Sequence, residues 1–98
     1  MTLDDALQDL HALQLDLQAY ERKYGLLSET FYLAYSKGEE PEDDAWVMDW
    51  AEWAGTYEVW QKRLNQVRSA IRSLQGPSET LGEVIKRTAR HEPIPLPA

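Results

Sequence analysis

The side chains able to do chemistry are few and poorly placed for it. His11 and His91 are the two histidines and there is no cysteine, so thiolate metal sites and an HExxH-type ligand pair are absent from the sequence. Acid pairs at helical spacing, Asp5 with Asp9 and Asp49 with Glu52, arise by chance in a chain with seventeen acids. A di-metal carboxylate bundle needs inward Glu side chains with Glu-x-x-His, whereas the inward positions here are apolar. The glycines form no phosphate-cradling loop, and neither Ser28 nor Ser36 has a histidine in reach by pattern. No catalytic residue, cofactor or metal is expected, and the chain does not read as an enzyme.

One stretch does stand out. Glu39, Glu40, Glu42, Asp43, Asp44, Asp49, Glu52 and Glu58 fall in twenty residues that contain no Lys or Arg, together with Trp46, Trp50 and Trp53. Two readings compete: a solvated, dipole-favoured helix start, or a surface for a basic partner. On the second, the candidate contact residues are Asp43, Asp44, Trp46, Asp49, Trp50, Trp53, Tyr57 and Trp60.

Two heptad stripes must position these residues. Apolar side chains recur at Trp46, Trp50, Trp53, Tyr57, Trp60, Leu64, Val67, Ile71 and Leu74, and at Leu3, Ala6, Leu10, Leu13, Leu17, Tyr20 and Tyr24. The alternating three- and four-residue steps predict helices over about 3–24 and 43–75. Thr2 is the expected N-cap of the first, and Gly25 its left-handed stop. Ser28 is the expected N-cap of a short helix over about 29–37, with Leu27 and Tyr32 as a hydrophobic staple and Gly38 as its end. Pro41 and the following acids suit the start of the long helix, and Gly76-Pro77 its stop. Ser78 is the expected cap of a short C-terminal helix carrying Leu81, Val84, Ile85 and Thr88, before an extended proline-rich tail. The fold class is an all-α, antiparallel heptad helical hairpin, with residues 1–77 as the hairpin domain and 78–98 as short helix and tail.

Bulk composition narrows the function. A net charge of −7 argues against direct nucleic-acid binding and against anionic lipid. No apolar run approaches the roughly 20 residues of a membrane span, and the acidic N-terminus is unlike a signal peptide, so the cytoplasm is the expected location. Residues facing each other in the antiparallel pair have numbers with a constant sum. A sum of 77 is preferred, since it sets Leu3 opposite Leu74, Tyr20 against Tyr57 and Tyr24 opposite Trp53, and brings Asp16 near Arg63. Trp46 and Trp50 then overhang the first helix and face Phe31 and Tyr35. A sum of 70 is the other heptad-compatible choice. One seam cannot hide so many large aromatics, and Leu7, Leu15, Val47, Met48 and Val59 lie off it, so a homodimer or another partner is expected unless the short helix and tail cover the surplus.

The order of signals in the middle of the chain is more specific than its period. Lys23, Tyr24 and Gly25, then Ser28, Phe31 and Tyr32, Gly38 and Glu39, Glu52 and Trp53, and Tyr57 resemble a family of short acidic prokaryotic proteins with a KYG…S…FY…GE…EW…Y pattern, over about residues 3–67. These resemble the antitoxin halves of two-gene toxin–antitoxin modules. The resemblance implies a protein that neutralises a small, basic cognate toxin; the segment from Gly76 onward departs from that pattern. The competing reading is a self-assembling structural helical hairpin, and a minor one a regulatory subunit of an enzyme.

Overall fold

A computed structural model describes residues 1–77 and 79–96. It is an all-α hairpin: α1 (Leu3–Tyr24), α2 (Ser28–Ser36), a 3₁₀ turn (Asp44–Trp46), α3 (Val47–Leu74) and α4 (Leu81–Thr88), with α1 and α3 packed against each other. No helix among the described residues is long and apolar enough to cross a membrane.

The helix ends follow local chemistry. Thr2 Oγ1 accepts the Asp5 N–H at 3.3 Å, and the Asp5 carboxylate accepts the Thr2 N–H at 3.1 Å. This is a reciprocal capping box, and the Thr2 backbone N–H is the main cause that holds Asp5 below the usual carboxylate range. Gly25 and Gly38 have φ of +76° and +96°, values that glycine reaches without a Cβ penalty. At the end of α2 the Glu39 N–H bonds to the Ala34 carbonyl and the Gly38 N–H to that of Tyr35, a Schellman closure. The first turn of the expected long helix is 3₁₀, capped by Asp43, whose carboxylate accepts the Ala45 N–H at 2.9 Å.

Ser28 is not the cap of α2. Leu27 takes the N-cap position without a side-chain bond, because the Ser28 hydroxyl is bound elsewhere, as described below. The staple is absent too: Leu27 is exposed and Tyr32 packs on Tyr57. Ser78 lies outside the described residues, and Thr80 caps α4 by accepting the Glu83 N–H at 3.2 Å.

The chain forms two compact units, His11–Gln61 and Met1–Leu10 with Lys62–Ala98. In the second, Leu3, Ala6, Leu10, Val67, Ala70 and Val84 are buried. Arg87 donates to the Leu74 carbonyl at 3.1 Å and to Glu79, whose carboxylate also accepts the Gly76 N–H. The tail, described to Leu96, runs back along the N-terminus: the Leu3 N–H donates to the Ile94 carbonyl at 2.7 Å, and Thr2 and Pro95 form an antiparallel bridge.

The flanks fix the register in each unit. Lys23 pairs with Asp49 at 2.6 Å, and Arg63 with Asp9, rather than Asp16, at 2.7 Å; both pairs add to 72. Trp53 stacks on Tyr24, as the sum of 77 requires, and equally on Tyr20. Tyr57 meets Tyr32 and Trp60, not Tyr20. The flank pairs thus lie closer to the sum of 70 than to 77, while Trp53 sits between Tyr20 and Tyr24 as a knob in a hole.

Candidate functional site

The acidic, aromatic end lies in the His11–Gln61 unit, and Trp53 is its hub. The side chain is 1% exposed. Phe31 of α2 stacks on it face to face with centroids 4.0 Å apart, and Tyr20 and Tyr24 of α1 stack at 5.7 and 5.5 Å. Its indole N–H donates to Ser28 Oγ at 2.8 Å within the core. Ser28 is thus the buried polar residue that satisfies a buried indole, and its own N–H donates to the Glu21 carboxylate at 2.8 Å. That dual use explains why a serine heads α2 without capping it.

Around this hub the tyrosines hydrogen-bond to part of the acidic cluster. Tyr20 donates to Glu52 at 3.0 Å, Tyr24 to Asp49 at 2.6 Å and Tyr32 to Glu58 at 2.8 Å. Burial and then the carboxylate bond push the Tyr20 and Tyr24 hydroxyls up to about 12. For Tyr32 the bond to Glu58 comes first, and for Tyr57 burial does; both are raised. Asp49 is held below its usual range by the Lys23 ammonium and then by the Tyr24 hydroxyl. A phenol donor to a carboxylate favours the neutral phenol and the charged acid together.

The candidate contact residues therefore divide. Trp53 and Tyr57 are core, and Asp49 is committed to Lys23 and Tyr24. Trp46, Trp50 and Trp60 are half-buried, and Asp43 and Asp44 are exposed. Glu39, Glu40, Glu42, Asp43 and Asp44 take part in no ion pair among the described residues. Trp46 does not overhang α1: its ring meets Tyr24 edge-on at 6.3 Å and lies parallel to Trp50 at 6.0 Å. Trp50 meets Phe31 edge-on at 5.5 Å, as expected. Between these rings lies an open groove of 380 Å³, lined by Tyr24, Phe31, Trp46, Trp50 and Trp53 with Glu39 as its carboxylate.

The Trp60 side is different. Its indole N–H is buried with no hydrogen-bond partner among the described residues, at the edge of a 360 Å³ depression that also includes Gln14, Gln18, Glu21 and Glu29. Among the described residues no group of three His, Asp or Glu side chains is placed to hold a metal ion.

The tyrosine–acid pairs were the residues hidden in the sequence, because Tyr20, Tyr24 and Tyr32 stand 32, 25 and 26 positions from their acceptors. Only the correct register reveals them. No protein-family model matches the chain, and no curated protein or solved structure is significantly similar to it.

Proposed function

We propose that this protein is an antitoxin-like inhibitor that acts in the cytoplasm by binding rather than catalysis, docking a small basic toxin on its acidic, aromatic end. The observation that carries the reading is that five exposed acids at positions 39–44, in no ion pair among the described residues, lie beside the half-buried Trp46 and Trp50. Tryptophan and tyrosine contribute most to interface energy for the rotamer freedom they lose, and unpaired acids steer a basic protein onto them. The three acids farther along α3 are matched internally by tyrosines and hold the platform. A toxin that handles nucleic-acid phosphates is usually basic, which suits this charge.

The reading extends to a two-fold homodimer. α2 and the tail leave Leu15, Val47, Met48 and Val59 exposed, Met48 by 73% and Leu15 by 66%, and two-fold pairing is the commonest closed solution for one chain type. Light scattering at micromolar concentration should give twice 11.3 kDa; a monomer removes the dimer from the reading. The function itself is tested by co-expressing the chain with the product of the adjacent reading frame. Relief of that product's toxicity and a stable complex support it. A harmless, non-binding neighbour leaves the self-assembling structural hairpin as the better account.

A further inference from the structure

The groove beside Trp46 and Trp50 has a chemistry more specific than a hydrophobic slot. Its lining is aromatic at five positions, Tyr24 at the end of α1, Phe31 in α2, Trp46 in the 3₁₀ turn, and Trp50 and Trp53 in α3, and is completed by Leu26, Thr30 and Ala34. Trp46 and Trp50 present parallel rings, 9° apart in plane, closed by Tyr24 and Phe31 set edge-on at 89° and 78°. Edge-on packing turns the positive rim of one ring towards the negative face of the next. The Lys23 ammonium already lies over the Tyr24 ring, 5.5 Å from its centroid, whereas Trp46 and Trp50 carry no cation among the described residues, and indole faces attract one. Glu39 is the acid in the lining. Its backbone N–H is fixed by the Ala34 carbonyl at 3.2 Å, which holds its Cα beside the groove. Glu40, Glu42, Asp43 and Asp44 continue the negative rim, and no Lys or Arg occurs between Lys37 and Lys62 to fill the groove from within that segment.

We infer that this groove receives an arginine side chain presented by a basic protein segment, the guanidinium lying against the Trp46 and Trp50 faces and hydrogen-bonding to Glu39. An aliphatic occupant leaves the carboxylate at the mouth unexplained and partly desolvated. An ammonium would answer the charge, but it is a compact, strongly hydrated point charge. The planar, weakly hydrated guanidinium both stacks on indole and offers a fork to a carboxylate. The inference rests on the functional reading above, since it names the side chain by which the basic partner is held, but its test does not require that partner.

The test follows the four indole N–H resonances of the full chain by NMR, assigned with single Trp→Phe variants, during titration with N-acetyl-argininamide. N-acetyl-citrullinamide, N-acetyl-lysinamide and tetramethylammonium are run in parallel. Saturable shifts confined to Trp46 and Trp50 are expected with the arginine probe, about tenfold weaker with its uncharged citrulline isostere. Glu39→Gln, at an exposed side chain whose backbone bond is retained, should weaken the arginine probe about five- to tenfold and leave citrulline unchanged. Equal affinity for arginine and citrulline, or no saturable shift, overturns the inference. Equal affinity for tetramethylammonium or lysine, with Glu39→Gln without effect, also overturns it by reducing the groove to a general cation surface. A failed groove leaves the functional reading standing if the neighbouring product still forms a complex. Arginine binding without any such complex sinks the functional reading and leaves the groove.

Discussion

The two compact units of this chain solve the same packing problem with opposite materials. All ten aromatic side chains lie in His11–Gln61, where Trp53 is surrounded by stacked rings and tied by a hydrogen bond to Ser28. The other unit buries Leu3, Ala6, Leu10, Val67, Ala70 and Val84 and contains no ring larger than the His91 imidazole. Alanines let helix backbones approach closely and bury little; a tryptophan buries much area but demands a partner for its N–H. The aromatic unit is therefore tightly specified around one residue and leaves Trp46 and Trp50 half-buried, whereas the aliphatic unit is a packed core of small and branched side chains.

The sharpest way to break that contrast is Trp53→Ala. It removes the hub and should cost about 3–5 kcal/mol, read as a lower urea midpoint and loss of near-ultraviolet circular dichroism. Val84→Ala, the counterpart in the aliphatic unit, removes two methyl groups and should cost about 1.5–2 kcal/mol. Equal costs would end the claim that the aromatic unit depends on one residue.

Ser28→Ala is smaller and more specific. It strands the Trp53 indole N–H in the core and should cost about 1–3 kcal/mol; a loss of a few tenths would mean that Ser28 is a helix-start residue after all. The tyrosine–acid pairs give a pH signature. Tyr20 and Tyr24 carry hydroxyl values raised from 10.0 to about 12, so the folded state holds their protons more tightly than the unfolded chain. Their stabilisation is complete below pH 10, declines above it and is gone beyond 12. Circular dichroism against pH should show the aromatic signal collapsing in that window, and Tyr20→Phe with Tyr24→Phe should flatten it. The smallest effect is expected for Trp60→Phe. Its N–H has no partner to lose among the described residues, so the change should stay within about 1 kcal/mol, whereas Trp53→Phe at the matched indole should cost more.

Element boundaries were legible because they rest on local chemistry: the stripe from Leu3 to Tyr24 and the left-handed glycines at 25 and 38 sit in the structure as read, whereas the acidic entry to the long helix is a 3₁₀ turn that begins after Pro41, with α3 starting at Val47. Register was less legible, because a seam of constant period admits any heptad shift. A straight helix also drifts by about 20° per heptad from a 3.5-residue repeat. That drift brings Ala70 inward while Ile71 is left 38% exposed. The candidate contact residues suffered from the same cause. Trp53 and Tyr57 share the stripe of Trp46 and Trp50, and periodicity alone cannot say which members α2 covers. Ser28 was misread because N-cap preference is a local rule, and the Trp53 indole, 25 positions away, claims its hydroxyl.

On the proposed function, the exposed acids at 39–44 steer a basic partner onto Trp46 and Trp50. Stopped-flow association with the product of the adjacent reading frame is measured across a salt series. Glu42→Gln, Asp43→Asn and Asp44→Asn are combined, because Asn can keep the cap on the 3₁₀ turn and Asp49 is left to its internal bonds. Association is expected to slow about tenfold or more at low salt, with a flattened salt dependence and little change in dissociation. An unchanged association rate with the same salt dependence would contradict it, and the acids would then be only the solvated start of a helix.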